Sequence, residues 1–348
     1  MIQSLNIENF RALKRVSVEE LGRVNIIVGS NASGKTSLLE ALYLVMGNSP
    51  ENSLKLKRWR GLIEPTPFVA IDTGFHIWED LFFDSHSPAL SVEINDSIKG
   101  RRKLEVALSS DQSITLPFGE ALDPGNISTS ISFIWHIGGE RFEGKVELTK
   151  EGLKLGRVPP FLNSAFMASH AGGPNENADR FSSLSKQNQQ HDIVRSLSVM
   201  YPFIEDLSVE TEIGGGVGIY AAIRSQEKKI PLPLVSEGIN KYLSFLLAVC
   251  YAKGGVVLID EMEGGFYYQT LEKIWVGLLD LASTFKTQIF VATHSMEALS
   301  ALKPSIDKDV DSFALLRMKR DDKTGVCGVD RVSGKRIAAA LEERFEIR

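Results

Sequence analysis

The residues with the clearest chemical competence form one short run, GSNASGKTS, at positions 29–37. It fits the pattern G-x-x-x-x-G-K-[ST]. Glycines at 29 and 34 let the backbone curl closely around a polyanion, and a helix starting at Lys35 aims its unpaired N–H groups at the same point. The ligand such a loop takes is a nucleoside triphosphate, ATP, contacted by Gly29, Asn31, Ala32, Ser33, Gly34, Lys35, Thr36 and Ser37. Lys35 would neutralise the β- and γ-phosphates, and the Thr36 hydroxyl is a ligand for Mg2+. Glycine turns also arise by chance. The context separates this one: a β-branched run VNIIV precedes it, and Leu38, Leu39, Leu42, Val45 and Met46 follow at helical spacing.

Three further clusters gain meaning beside that loop. VVLIDE, residues 256–261, is an apolar strand ending in two carboxylates. Standing alone, such a pair is usually a solvated turn. Next to a phosphate loop, Asp260 becomes a Mg2+ ligand and Glu261 the general base that polarises an attacking water. In VATHS, His294 follows a buried strand, where an imidazole can hydrogen-bond phosphate or water. A lone histidine there would more simply be structural. VSEGI, residues 235–239, opens a helix with Ser236, Glu237 and Gly238 at its N-terminus, an ordinary cap or a second anion site.

An α/β scaffold must position these groups. Val24–Val28, Val256–Ile259 and Ile289–Ala292 read as buried strands, and helices are expected over 35–46, about 237–252 and 269–284. Together they imply a mainly parallel core sheet with helices on both faces. Ile2, Leu5 and Ile7 suggest an edge strand. From 65 to 155 the texture is period-two, as in Val92/Ile94, Leu104/Val106/Leu108, Ile131/Phe133/Trp135/Ile137 and Phe142/Val146/Leu148, which implies an inserted antiparallel β lobe. Residues 170–190 read as a polar loop, Ile193, Leu197, Met200 and Ile204 as an amphipathic helix, and Gly214–Gly218 as a turn between strands. The expected division is 1–64, a core part with the loop; 65–155, the β lobe; 156–230, helical and strand segments; and 231–348, the second core part. Sustained heptads are missing, so no long coiled coil is expected.

Composition narrows the classes. A 43% apolar chain of 348 residues can bury a real core, and a net charge of −5 argues against bulk attraction to DNA or anionic membrane. Cys250 and Cys327 have no metal or redox spacing and read as reduced thiols. The opening lacks the apolar core of a signal peptide, and the longest apolar run, Tyr242–Ala252, is too short to span a bilayer, so a cytoplasmic protein without membrane contact is expected. His76, His86, His136, His170 and His191 are scattered without ligand spacing. Asp321-Asp322 falls in a turn and Glu342-Glu343 on a charged helix, so neither suggests a nuclease centre.

In their order along the chain, the four motifs resemble ATP-binding-cassette (ABC) ATPases of the SMC/RecF/OLD branch, in which the last three are the signature, Walker B and the switch histidine. The segment IQSLNIENFRALKRVSVEELGRVNIIVGSNASGKTSLLEAL is similar to the opening of RecF-like and OLD-like ATPases, with Asn-Phe-Arg ahead of the P-loop. The closing FALLRMKR…GVDRVSGKRIAAALEERFEIR extends the resemblance over nearly the whole chain, closest to compact stand-alone AAA15/AAA21 ATPases, which include ATPase subunits of anti-phage defence systems. The resemblance implies one ABC-type ATPase domain over 1–348, acting as a homodimer or higher homo-oligomer. Ser236, Glu237 and Gly238 of one subunit would face ATP held by Gly34 and Lys35 of the other. It offers Arg11 as a phosphate contact, with a surface arginine the equal alternative.

The chain also departs from the family. Its signature is Val-Ser-Glu-Gly-Ile rather than Leu-Ser-Gly-Gly-Gln, and Phe266-Tyr267 stand where relatives often carry a histidine. No glutamine marks a Mg2+-sensing loop, and Trp78-Glu79-Asp80 only lies in about the right region. The implied function is an ATP-driven switch acting through a separately encoded effector, a nuclease or toxin of anti-phage defence. A RecF-like ATPase that contacts duplex DNA is the alternative; a small-molecule kinase shares only the P-loop.

Overall fold

A run of β-branched residues buried on both sides has one stable place, the interior of a sheet covered on both faces. All five residues of VNIIV and all four of VVLI are buried, as are the five of QIFVA at 288–292. The computed structural model describes residues 1–62, 76–84, 86–109, 130–146, 148–149, 152–153, 158–168, 174–211 and 216–343. Parts of the expected β lobe and of the glycine turn, and His170, lie outside them.

The chain begins with the hairpin β1 (Ile2–Phe10) and β2 (Leu13–Val18), then β3 (Val24–Val28), α1 (Lys35–Met46), α2 (Glu51–Trp59) and the single turn α3 (His76–Glu79). Next come β4 (Ala89–Asp96), β5 (Gly100–Ser109), β6 (Ser130–Ile137), β7 (Glu140–Val146) and the two-residue strands β8 (Leu148–Thr149) and β9 (Gly152–Leu153). They are followed by β10 (Ser164–Met167), α4 (Pro174–Ser185), α5 (Gln190–Met200), β11 (Ile204–Thr211), β12 (Val217–Ile223) and β13 (Ile230–Pro231). The last part holds α6 (Leu232–Val235), α7 (Glu237–Tyr251), β14 (Val256–Ile259), α8 (Leu271–Phe285), β15 (Gln288–Ala292) and α9 (Met296–Lys308). It closes with β16 (Phe313–Arg320), β17 (Cys327–Ser333) and α10 (Gly334–Glu342).

The core sheet has the order β10-β14-β15-β3-β16-β17, parallel from β10 to β16, with β17 antiparallel. Its register pairs Met167 with Ile259, Ile259 with Val291, and Ala292 with Ile27. Four strand ends are thereby aligned, so the residues that follow them share one rim. The side chains alternate between two cores. Ile26, Val257, Ile259, Ile289 and Val291 pack with α7, α8 and α9, whereas Ile27, Leu258 and Phe290 pack with α1. Beyond α1 lies a second sheet, β2-β1-β4-β5-β6-β7, antiparallel throughout. α1 is thus enclosed between two sheets, with nine of its twelve residues buried. At its C-terminus the buried Arg102 of β5 donates to the carbonyls of Val45, Gly47 and Pro160. Burial pushes that guanidinium down to about 10.

Several expectations change. β1 is an internal strand between β2 and β4, so the antiparallel sheet takes in residues 2–18 as well as β4 to β7. Its backbone pairs on both edges, and Ile2, Leu5, Ile7 and Phe10 are fully buried. The polar stretch read as a loop contains α4, which buries Ala178, Phe181 and Leu184 at three-residue spacing. Ile204 begins β11 rather than closing the helix, because the Tyr201-Pro202 step ends α5 first. The Asn-Phe-Arg segment is structural. The Asn9 amide donates to Ser87 O and Ala89 O, Phe10 is buried, and Arg11 forms the hairpin turn with φ +49°.

Candidate functional site

The rim of the core sheet carries a cavity of about 450 Å³. Asn31 to Ser37 line one side of it, and Asp260, Glu261, Thr293, His294, Arg60 and Arg320 the other. Strand register explains the convergence: β14 delivers Asp260 and Glu261, β15 delivers Thr293 and His294, and β3 runs into the glycine loop. Gly34 has φ +94°, left-handed backbone that glycine adopts without cost. A Cβ at Gly29 would lie 2.4 Å from the Met318 carbonyl oxygen, so the loop's path requires glycine there. The Ser33 hydroxyl is buried without a hydrogen-bond partner among the described residues.

Two contacts define the polar centre. The Thr36 hydroxyl donates to Asp260 Oδ2 at 2.8 Å. The Lys35 ammonium donates to Gly29 O and Ser30 O, both at 2.8 Å. Desolvation holds Lys35 below its ordinary value, against the attraction of Asp260, Glu263 and Glu261. Asp260 is raised, chiefly by burial, and Glu261 and Glu40 add to that rise. A carboxylate and a hydroxyl side by side, facing the glycine loop, match the hard oxygen donors that Mg2+ takes. The residues present therefore fit a nucleotide with its magnesium.

Glu261 is exposed and has φ +50°, a conformation non-glycine residues adopt at a cost and keep where the surroundings enforce it. His294 Nδ1 lies 3.0 Å from Glu263 Oε1, which also accepts the His294 backbone N–H at 2.9 Å. A carboxylate at Nδ1 fixes the ring's orientation and favours the tautomer protonated there. Glu263 was legible only as one acid in MEGG, with nothing to tie it to His294.

Other residues fall elsewhere. Arg11 is neither at the phosphates nor on the surface. It lies behind α1, paired with Glu40, which Arg60 grips with two hydrogen bonds of 2.8 and 2.9 Å. The guanidinium that reaches the cavity is Arg60's, which the sequence did not distinguish from Arg58 two residues earlier. Arg320 also lines the cavity, its Nη1 3.4 Å from Ala32 O. Trp78 is buried against Phe133 and Asp80 pairs with Lys57, so this segment is not beside Asp260. The strand beside Asp260 is β10, whose Met167 O accepts the Asp260 N–H at 2.8 Å. Ser236 caps α7 by accepting from Ile239 N at 3.4 Å. With Glu237 and Gly238 it lies outside the cavity of its own chain.

The fold and this rim define a P-loop ATPase with the architecture of an SMC head. The SMC head bound to the C-winged helix domain of ScpA superposes with a TM-score of 0.50 over 95% of this chain and 97% of that one, at 14% identity. The Pyrococcus furiosus Smc head domain gives 0.51 over 99% of both, at 12% identity. In sequence, residues 1–133 match the family described as "AAA ATPase domain" and residues 136–300 the one described as "AAA domain, putative AbiEii toxin, Type IV TA system". An ATP/GTP phosphatase of Helicobacter pylori is 22% identical across 93% of this chain and 94% of its own length. The OLD nuclease of Thermus scotoductus is 24% identical across 93% of this chain, which spans 62% of that protein. RecF of Idiomarina loihiensis is 50% identical over 44 residues, 13% of this chain. Across these matches the chain is similar to the SMC/RecF/OLD-like ABC ATPases, and it hydrolyses ATP. Among the described residues no helix is long and apolar enough to cross a membrane.

Proposed function

We propose that the protein is an ATP-driven dimeric switch: two copies close over two ATP molecules, and hydrolysis lets them part. One observation carries this reading. Lys35, Thr36, Asp260, Glu261 and His294 line one cavity, which Ser236 and Gly238 of the same chain do not reach. A second copy would supply them. In this reading the loop N–H groups and Lys35 hold the phosphates, with Arg60 beside them. Mg2+ would be held by Thr36 and Asp260, where it supplies charge neutralisation to the phosphates. The Glu261 carboxylate takes a proton from the water that attacks the γ-phosphorus, ADP leaves, and His294, oriented by Glu263, hydrogen-bonds the departing phosphoryl oxygens.

The cycle would control a separately encoded effector, a nuclease or toxin of anti-phage defence, in the cytoplasm. Support comes from the resemblance to stand-alone AAA15/AAA21 ATPases, from the matched family described as a putative AbiEii toxin and from a relative named OLD nuclease. The RecF match favours a second reading, a DNA-contacting ATPase; turnover stimulated by duplex DNA and falling steeply with salt would favour it. The test of the switch is Glu261→Gln, which keeps the shape of the side chain and removes the base. The variant is expected to bind ATP, to hydrolyse it at least 100-fold more slowly, on the order expected for loss of a general base, and to scatter light as a dimer only with ATP. Hydrolysis at the wild-type rate would remove Glu261 from the mechanism.

A further inference from the structure

The turn that carries Glu261 is clamped from an unexpected direction. Helix α7, capped by Ser236, carries Lys241 one and a half turns in, and helical side chains lean back toward the N-terminus. The Lys241 ammonium thereby reaches the segment after β14, donating to Gly264 O at 2.7 Å and Glu261 O at 3.1 Å. Its Nζ also lies 5.7 Å from the ring centres of both Phe245 and Phe266, so the stem and head are held by packing as well. Gly238 shares this face of α7, three residues earlier. A Cβ there would lie 3.0 Å from Gly265 O, so a small residue lets the helix approach the turn. The turn itself is not relaxed at Glu261, whose φ is +50°, whereas Gly265 takes its φ of +81° without cost. A strained backbone persists where its surroundings over-determine it, and here the two carbonyls that bracket the turn share one cation.

We propose that Lys241 is a positioning residue for hydrolysis: it ties the Ser236 end of α7 to the backbone of Glu261 and holds the angle from which that carboxylate works. The proposal rests on Glu261 being the base. It also supplies a physical link between the two halves of a composite site, because any displacement of Ser236 and Gly238 moves the helix that grips Glu261. Burial holds the Lys241 ammonium below its ordinary value, against the attraction of the carboxylates Glu263, Glu261, Glu237 and Asp260.

Lys241→Met keeps the stem on Phe245 and Phe266 and deletes both hydrogen bonds. ATP hydrolysis is expected to fall roughly 10- to 100-fold in kcat, the cost of misplacing a catalytic group by about an ångström, with KM for ATP within about twofold. Lys241→Arg, which can donate to both carbonyls and stack on the rings, is expected to recover most of the rate. In a Glu261→Gln background Lys241→Met should have no further effect, since residues acting as one unit are not additive. An unchanged kcat in Lys241→Met, or a raised KM with kcat intact, overturns the positioning role. Should that variant not fold, Lys241→Gln repeats the comparison. Full activity in Glu261→Gln alone would instead sink the base assignment, whatever Lys241 does.

Discussion

Asp260 stands in surroundings that penalise its own charge. Burial raises its pKa above the ordinary 3.8, Glu261 and Glu40 push the same way, and only the Thr36 hydroxyl and Lys35 oppose them. An acid with a raised native pKa binds its proton more tightly folded than unfolded, so stability falls as pH climbs from 3.8 through the native value and stays reduced above it. Asp260→Asn removes that cost and can still accept from Thr36. In a metal chelator and without nucleotide, the variant is expected to melt higher than wild type at pH 8, the gain shrinking to nothing below 3.8, while hydrolysis is lost. Melting curves at four or five pH values decide it; coincident curves at pH 8 would show that the carboxylate carries no such strain. At this scale the sequence was informative where a residue belongs to a contiguous motif and silent where partners meet across the fold. Lys35, Thr36 and Asp260 were legible because loop and strand end are each local. Arg11 and Arg60 were not, because their common partner, Glu40, lies on a helix 29 residues from one and 20 from the other.

Helix α1 shows how elements constrain the site. It is pinned midway by Glu40, whose carboxylate accepts from Arg11 in the β1–β2 turn and from Arg60 just past α2. Glu40 is buried, Arg11 nearly so, and among the described residues two Arg11 nitrogens lack a hydrogen bond, so the guanidinium is held by this carboxylate and, at 3.7 Å from Nη2, by Asp80. Glu40→Ala would leave a buried cation with only the more distant Asp80 and free the arginine that lines the cavity. It is expected to cost on the order of 3 kcal/mol in urea unfolding, within the range for breaking a buried pair, and to weaken ATP binding through Arg60. A loss below about 1 kcal/mol would mean that water replaces the carboxylate. Strands β4 and β5 were among the most legible elements, since their buried residues alternate, as Leu104, Val106 and Leu108 do. Helix α4 escaped because its buried face is narrow and two of its inward residues are polar, Asn177 bonding Ser244 and Arg180 bonding Glu176. Pairing of β1 with β4, some 85 residues away along the chain, has no local signature at all.

At the scale of the whole molecule, the rim that carries Lys35 and Asp260 and the Ser236 end of α7, the expected signature, are separate surfaces of one chain. The latter carries exposed apolar and aromatic residues, Leu234 at 78% exposure just ahead of Ser236, and Tyr267 and Tyr268 at 59% and 57% just past the turn that Gly238 packs on. Exposed groups of this kind beside a helix N-terminus suit a self-complementary contact, in which each copy presents its signature to the other's phosphate loop. That geometry can be tested by complementation. Lys35→Ala lacks a working loop and keeps its signature; Ser236→Arg keeps the loop and lacks the signature. Each is expected to be inactive alone. Mixed equally, half the dimers pair one of each, and in these one of the two sites unites an intact loop with an intact signature. Turnover should then recover to about a quarter of the wild-type rate if the sites fire independently. If Ser236 took no part in an ATP site, Ser236→Arg would hydrolyse ATP unaided and mixing would only average the two rates; if both halves of the site belonged to one chain, both variants would stay inactive and mixing would restore nothing. A mixture no faster than either variant would remove the shared site, and the switch would have to be rebuilt around a single copy.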